Sequence, residues 1–182
     1  MLYRHKDLIK IYKNDYQINK LIINNKIIKR DDGLYSDEKN ESFTDVVAIR
    51  YPNAVITGLT AYYCYKLLDY NPAMLHVSSP RNSTKIIDTN IKQHFTSENI
   101  HNLGIVSLGI SSNSIKIFNK EKLLIELFRL KGKISDRDYN YVYNNFNKIK
   151  KQLNKDLIYN YLKNYPFNGK LYKQIEDFLI NE

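Results

Sequence analysis

The chain has 182 residues, a formal net charge of +9 and 43% apolar residues, with a single cysteine and no tryptophan. That length holds one medium domain, or a small domain joined to a larger one, with enough apolar matter for a core. A lone cysteine excludes an internal disulfide framework and fits a reducing compartment.

The opening stretch, MLYRHKDLIKIYKNDY, lacks the continuous apolar run of a signal peptide. The longest apolar-leaning run, Ala54 to Tyr65, is broken by Thr57, Gly58 and Thr60 and is too short to cross a bilayer. The expectation is a cytoplasmic protein that does not associate with a membrane. Asn, Lys, Ile and Tyr are abundant and Ala, Gly, Pro and Arg scarce, a bias that AT-rich coding produces, so the lysine total overstates function. The distribution is more telling. Residues 1–35 hold eight Lys/Arg against four Asp/Glu, a net of +4. Residues 36–118 balance at seven and seven, and residues 119–182 hold thirteen against eight, a net of +5. A basic N-terminal module suits nucleic acid, and a basic tail suits nucleic acid or an acidic protein.

In chain order, Leu8, Ile9 and Tyr12 share one helical face after His5-Lys6-Asp7. Asn14, with Gln17 three residues on, has the spacing of a capping box. A second helix follows, with Ile18, Leu21 and Ile22 inward and Gln17, Lys20 and Asn24 outward. KIIKRDDGLY reads as a hairpin turning at Asp31-Asp32-Gly33. SDEKNES (36–42) is polar, with nothing to bury, and reads as a linker. Ser42 or Thr44 then caps a short helix through Val46, Val47 and Ile49 that Pro52 ends at Tyr51.

YPNAVITGLTAYYCYKLLDY follows as a helix from about Ala54 to Leu68, with Asn53 as its cap and Ala54, Ile56, Leu59, Tyr63 and Leu67 inward. AMLHVSS (73–79) reads as a strand, SPRNST (79–84) as a loop and KIIDTNIKQHF as extended chain. GIVSLGI and SIKIF, separated by SSN, form a second hairpin. From Lys120 to the end the pattern is helical, with Ser135-Asp136 capping one of the helices.

These elements predict an α+β protein. A small winged-helix-like module, a reduced winged helix-turn-helix, covers 1–36, with a linker over 37–43. A larger C-terminal α/β domain covers 44–182, with a mostly antiparallel sheet and a helical C-terminal part. On the N-terminal module, Gln17, Lys20 and Asn24 are placed to meet base edges or phosphates. Lys26, Lys29 and Arg30 are placed to grip the backbone as a wing does. The alternative is a helical-hairpin cap whose lysines are only solvated. A winged helix normally has three helices before the wing, and only two fit here.

His94, Glu98 and His101 have the i, i+4, i+7 spacing of ligands on one helical face. Their stretch, KQHFTSENIHNLG, reads better as a strand running into a loop. Cys64 lacks an activating sequence neighbour and reads as packing. No Gly-rich phosphate loop, serine elbow or zinc-ligand cluster appears, and Asp88 with Lys92 is too thin for a nuclease. No catalytic residue, metal or cofactor is expected, and the chain is not read as an enzyme.

Three blocks resemble the AbiEi family, the antitoxins of abortive-infection (AbiE-type) type IV toxin–antitoxin systems. INKLIINNKIIKRDDGLY (18–35) is similar to that family's recognition helix and a wing ending in Gly-x-Tyr. YPNAVITGLTAYYCYKLLD (51–69) is similar to its Tyr-Pro-x-Ala-Val start and Ser-Ala helix, here Thr60-Ala61. IKIFNKEKLLIELFRLK (115–131) is similar to a strand followed by an acidic-Arg-Thr helix ending in Arg. Here Lys122-Leu123 stands for Arg-Thr and Glu126 for Asp, while Glu121 and Arg129 match.

The resemblance implies a phage-defence antitoxin that represses its own operon by binding operator DNA. It also implies a C-terminal domain, acting through Arg81, Glu126 and Arg129, that counters a nucleotidyltransferase-like toxin with or without a direct complex. The rival expectations are a stand-alone winged-helix regulator and a protein-interaction module that no longer touches DNA.

Overall fold

The computed structural model describes residues 2–29, 33–37, 43–108, 115–166 and 169–180. Its contacts divide the chain into two compact units, 1–54 with 107–115, and 55–106 with 116–182. Arg30, the Asp31-Asp32 turn, most of the expected linker, Ser42 and the SSN turn lie outside the described residues.

In the first unit the order is β1 (Leu2–Arg4), α1 (His5–Tyr12), α2 (Asp15–Ile23), β2 (Ile28–Lys29), β3 (Leu34–Ser36) and α3 (Phe43–Arg50). α1 stops where Lys13 turns left-handed at φ 69 and returns its N–H to the Ile9 carbonyl at 2.8 Å. Asn14 then starts α2 by accepting from the Gln17 N–H at 3.0 Å, as the capping spacing predicts. Two residues, Lys13 and Asn14, therefore join the two helices. Leu8, Ile18, Ile27 and Tyr35 form the core between the helices and the sheet, with Leu21 and Ile22 packed against it.

β3 lies between β1 and β2, antiparallel to both, and Tyr35 faces Tyr3 on one side and Lys29 on the other. β1 carries no pattern of its own. Three residues become a strand because β3 supplies the backbone partners. α3 packs against β1, and the Arg4 guanidinium donates to the Ile49 carbonyl.

The second unit begins with β4 (Val55–Ile56), α4 (Gly58–Cys64), β5 (Leu75–Pro80), β6 (Ile91–Thr96) and α5 (Glu98–His101). β7 (Ile105–Leu108) and β8 (Ile115–Phe118), which straddle the division at Ser107 and Lys116, follow, then α6 (Lys120–Arg129), α7 (Asp136–Ile149), α8 (Lys155–Leu162) and α9 (Gly169–Ile180). The five-stranded sheet has the order β6-β5-β4-β8-β7.

This sheet is mixed, not mostly antiparallel as expected. β4 runs antiparallel to β5, but β5 is parallel to β6 and β4 is parallel to β8. The cause lies in the connections. Residues 81–90 carry the chain from the end of β5 back to the start of β6, where a hairpin would have reversed it. β5 buries Leu75 through Ser79 without alternation, as a strand covered on both faces does.

The single helix expected over Ala54–Leu68 is a strand and a shorter helix. Val55 and Ile56 pair with Ser78 and Val77, and Ile56 also pairs with Ile117. Both are β-branched, and pairing on two sides outweighs the helical spacing that follows. The N-cap is Thr57, not Asn53. The later start rotates the inward face, so Tyr62 is fully buried and Tyr63 is partly exposed.

α6 organises the helical layer. It packs against α4, α7, α8 and α9, and every residue from Lys122 to Phe128 is buried. A helix enclosed on all sides reads as apolar all round, which LLIELF nearly does. The exceptions are Lys122 and Glu126. Asn119 caps α6 by accepting from the Lys122 N–H at 3.0 Å, Ser135 caps α7 and Asn154 caps α8. No helix among the described residues is long and apolar enough to cross a membrane.

Candidate functional site

Two polar constellations stand out, one in each unit. The first is the outer surface of α2. Gln17, Lys20, Asn24, Lys26 and Lys29 are exposed, while Arg30 lies outside the described residues. At about 100° per residue, the buried direction is set by Ile18 with Leu21 and Ile22. Tyr16, Lys20 and Ile23 lie opposite, and Gln17 and Asn24 occupy one shoulder.

The residues farthest from the core are therefore an aromatic, a lysine and an aliphatic, with Tyr16 72% and Ile23 79% exposed. Periodicity already carries this signal, but it is easy to miss because apolar residues are expected inward. Lys20 lies on this surface, and Lys26 in the turn after α2 and Lys29 on β2 are further exposed cations of the same unit. That arrangement suits a polyanion.

The second constellation is buried around α6. The Lys122 ammonium has three hydrogens and three acceptors. They are the Ile100 carbonyl at 2.9 Å, the Tyr165 hydroxyl at 2.5 Å and Glu126 Oε1 at 3.2 Å. The Tyr165 hydroxyl in turn donates a hydrogen bond to Glu126 Oε1 at 2.8 Å. Arg129 Nη1 donates to both Glu126 oxygens, at 3.1 and 3.0 Å. Its guanidinium lies 4.9 Å from the centre of the Tyr165 ring, and Lys122 lies 4.8 Å from the same centre.

Burial pulls the Lys122 ammonium down to about 8, against the upward pull of Glu126. Burial, with Glu126 adding to it, pushes the Tyr165 hydroxyl far above the ordinary tyrosine range. One carboxylate is thus shared by two cations and a phenol. Arg129, with 38% of its side chain exposed, emerges in a fixed orientation with donors to spare for an outside anion.

The structure joins Glu126 and Arg129 directly. Arg81 is exposed on the turn after β5, where its backbone N–H donates to the Thr96 carbonyl at 2.9 Å. Among the described residues no hydrogen bond or ion pair links Arg81 to that pair. Tyr165, which completes the network, was missed. It stands 39 residues beyond Glu126, and no local spacing marks it.

The histidines separate. His94 on β6 approaches His76 on β5, Nε2 to Nδ1 at 3.2 Å, while His101 on α5 meets the Ser78 hydroxyl at 3.1 Å. Burial, then the neighbouring His94, brings His76 down to about 4, so it is neutral at pH 7. Among the described residues no three His, Cys, Asp or Glu side chains are grouped to hold a metal ion. Cys64 is half-buried, and burial raises its thiol, which makes it a poor nucleophile.

No protein-family model and no curated protein matches this chain. Among solved structures, the RV2827C protein from Mycobacterium tuberculosis is similar, at 11% identity and a TM-score of 0.66. The likeness covers 98% of this chain and 71% of that one. At this identity it shows the fold alone, a mixed α/β architecture shared over almost the whole chain.

Proposed function

We propose that the chain is an AbiEi-type antitoxin with a reduced winged helix-turn-helix that binds the operator of its own promoter and a C-terminal domain that counters a nucleotidyltransferase-like toxin. The observation that carries the DNA-binding part is the α1–α2 pair, set on a sheet of order β1-β3-β2, with lysines on the outer face of α2 and on β2. On this reading α2, the second helix of the helix-turn-helix, is the recognition helix and β2–β3 the wing. α3 follows the sheet in sequence and packs on β1, and on this reading it stands in for the third helix that does not precede the wing.

The antitoxin part rests on the resemblance of the three blocks. Two of them belong together in space. β4 of the second block is parallel to β8 of the third, and the Tyr62 hydroxyl on α4 donates to the Leu123 carbonyl on α6 at 3.2 Å. This supports reading them as parts of one domain, with Arg129, held by Glu126, as its outward-facing cation.

Co-expression with the nucleotidyltransferase-like product of the adjacent gene tests the antitoxin role. Restored growth is the expected result, and continued arrest overturns it. A gel shift on the protein's own promoter tests the DNA-binding role. Binding there with arrest unrelieved would leave a stand-alone winged-helix regulator. No binding at low salt with growth restored would leave a module that acts through protein contacts alone.

A further inference from the structure

The outer face of α2 poses a problem that lysines alone do not explain. Tyr16 and Ile23 are among the most exposed large apolar side chains described, and both sit at the centre of the face a winged helix turns toward DNA. They are seven residues apart, so they lie roughly 10 Å apart along the helix axis, about three base-pair steps. Lys20 stands between them.

Two solvent-exposed apolar side chains flanked by lysines do not suit a second copy of this surface, because Lys20 and Lys26 would face their own images. They suit a groove that is anionic at its walls and apolar at defined points on its floor. The major groove of B-form DNA has that character. Phosphates line its edges, and the thymine C5-methyl is the apolar group on its floor.

We infer that Tyr16 and Ile23 read thymine methyl groups about three base pairs apart, and that they are specificity-determining residues not anticipated from the polar pattern. The inference rests on the DNA-binding reading. Within it, the exposed polar residues position the protein and the apolar pair selects sequence. Lys20, between the two contacts, anchors the helix to a phosphate.

The test compares the protein's own promoter duplex with the same duplex carrying uracil at every thymine, which removes the methyl groups and keeps the base pairing. Wild-type protein should bind the thymine duplex roughly tenfold more tightly, the size expected for burying two methyl groups. The double variant Tyr16→Ala/Ile23→Ala should bind both duplexes alike, near the wild-type affinity for uracil DNA. Both sites are exposed, so circular dichroism should be unchanged, and Ile23→Leu should keep most of the preference.

Equal wild-type binding to the two duplexes overturns the inference while DNA binding stands. A thymine preference that survives in the double variant also overturns it, and assigns the effect to duplex shape. A wild-type dimer in sedimentation that the double variant loses gives the face to a second copy, and the inference fails. Binding to neither duplex at low salt removes the DNA-binding reading as well.

Discussion

The Lys122 ammonium lies 3.2 Å from the Glu126 carboxylate, one helical turn further along α6, with side-chain exposures of 1% and 12%. Removing the two partners should not cost the same. Glu126→Ala leaves a buried ammonium without its countercharge and should destabilise the fold by about 3–5 kcal/mol. Lys122→Met leaves Glu126 with Arg129 and Tyr165 and should cost about 1–2 kcal/mol. Urea unfolding of the two variants measures both. The reverse ranking would mean that Glu126 is not the shared acceptor.

The lowered Lys122 pKa makes stability depend on pH with a definite sign. The unfolded lysine keeps its proton to about pH 10.5, whereas the folded one releases it near 8. Between these values the unfolded state binds more protons, so stability rises with pH. The cost of the buried charge is fully present below about pH 8 and is relieved above it. Tyr165 acts in the opposite direction once unfolded tyrosines ionise near pH 10, closing the window there. Urea midpoints should therefore climb from pH 8 to 10 in the wild type, and this climb should be absent in Lys122→Met.

Gly58 opens α4 at φ +52, and a Cβ placed there would come within 2.8 Å of His76 Nδ1. Left-handed backbone alone costs a non-glycine residue about 1–2 kcal/mol. The contact adds to this, because His76 is held by β5 and buried. Gly58→Ala should lower the melting temperature by several degrees, whereas Gly33→Ala, with left-handed backbone but open surroundings, should lower it less. Thermal melts followed by circular dichroism decide the order.

If α2 and β2 lie against phosphates, each cation contributes to the salt dependence of binding. Removing one phosphate contact should reduce the slope of log affinity against log salt by about 0.9. Lys20→Ala and Lys29→Ala should each do so, and Lys116→Ala, on β8, should not. Gel shifts over a range of salt concentrations give the slopes directly. Equal slopes for all three would separate binding from the α2 surface.

Tyr62 spans from α4 to α6 through its hydroxyl and meets Phe146 of α7 edge-on, with ring centres 6.1 Å apart. Tyr62→Phe should cost about 1 kcal/mol for the lost bond, and Tyr62→Ala about 3–5 kcal/mol for the cavity. Chemical denaturation measures both. A near-neutral alanine variant would contradict the packing.

Local pattern marks most of the helices and the starts of α2 and α7, but it misplaces the start of α4 and does not mark α5. Asn14 before Gln17 and Ser135 before Asp138 mark caps, because a capping side chain reaches a backbone N–H three residues on, wherever the helix later packs. The same pattern places Lys20 on an open face, since Ile18, Leu21 and Ile22 define the inward direction. Strands of two or three residues have no such period. Leu2–Arg4 and Val55–Ile56 are strands only because β3, β5 and β8 supply partners, and the parallel pairing of β5 with β6 follows from the path of residues 81–90. The network around Glu126 was legible in part for the same reason. Arg129 lies one turn from Glu126 on the same helix, but Tyr165 reaches that carboxylate from a distant part of the chain, and only the packing of the helices around α6 brings its hydroxyl there.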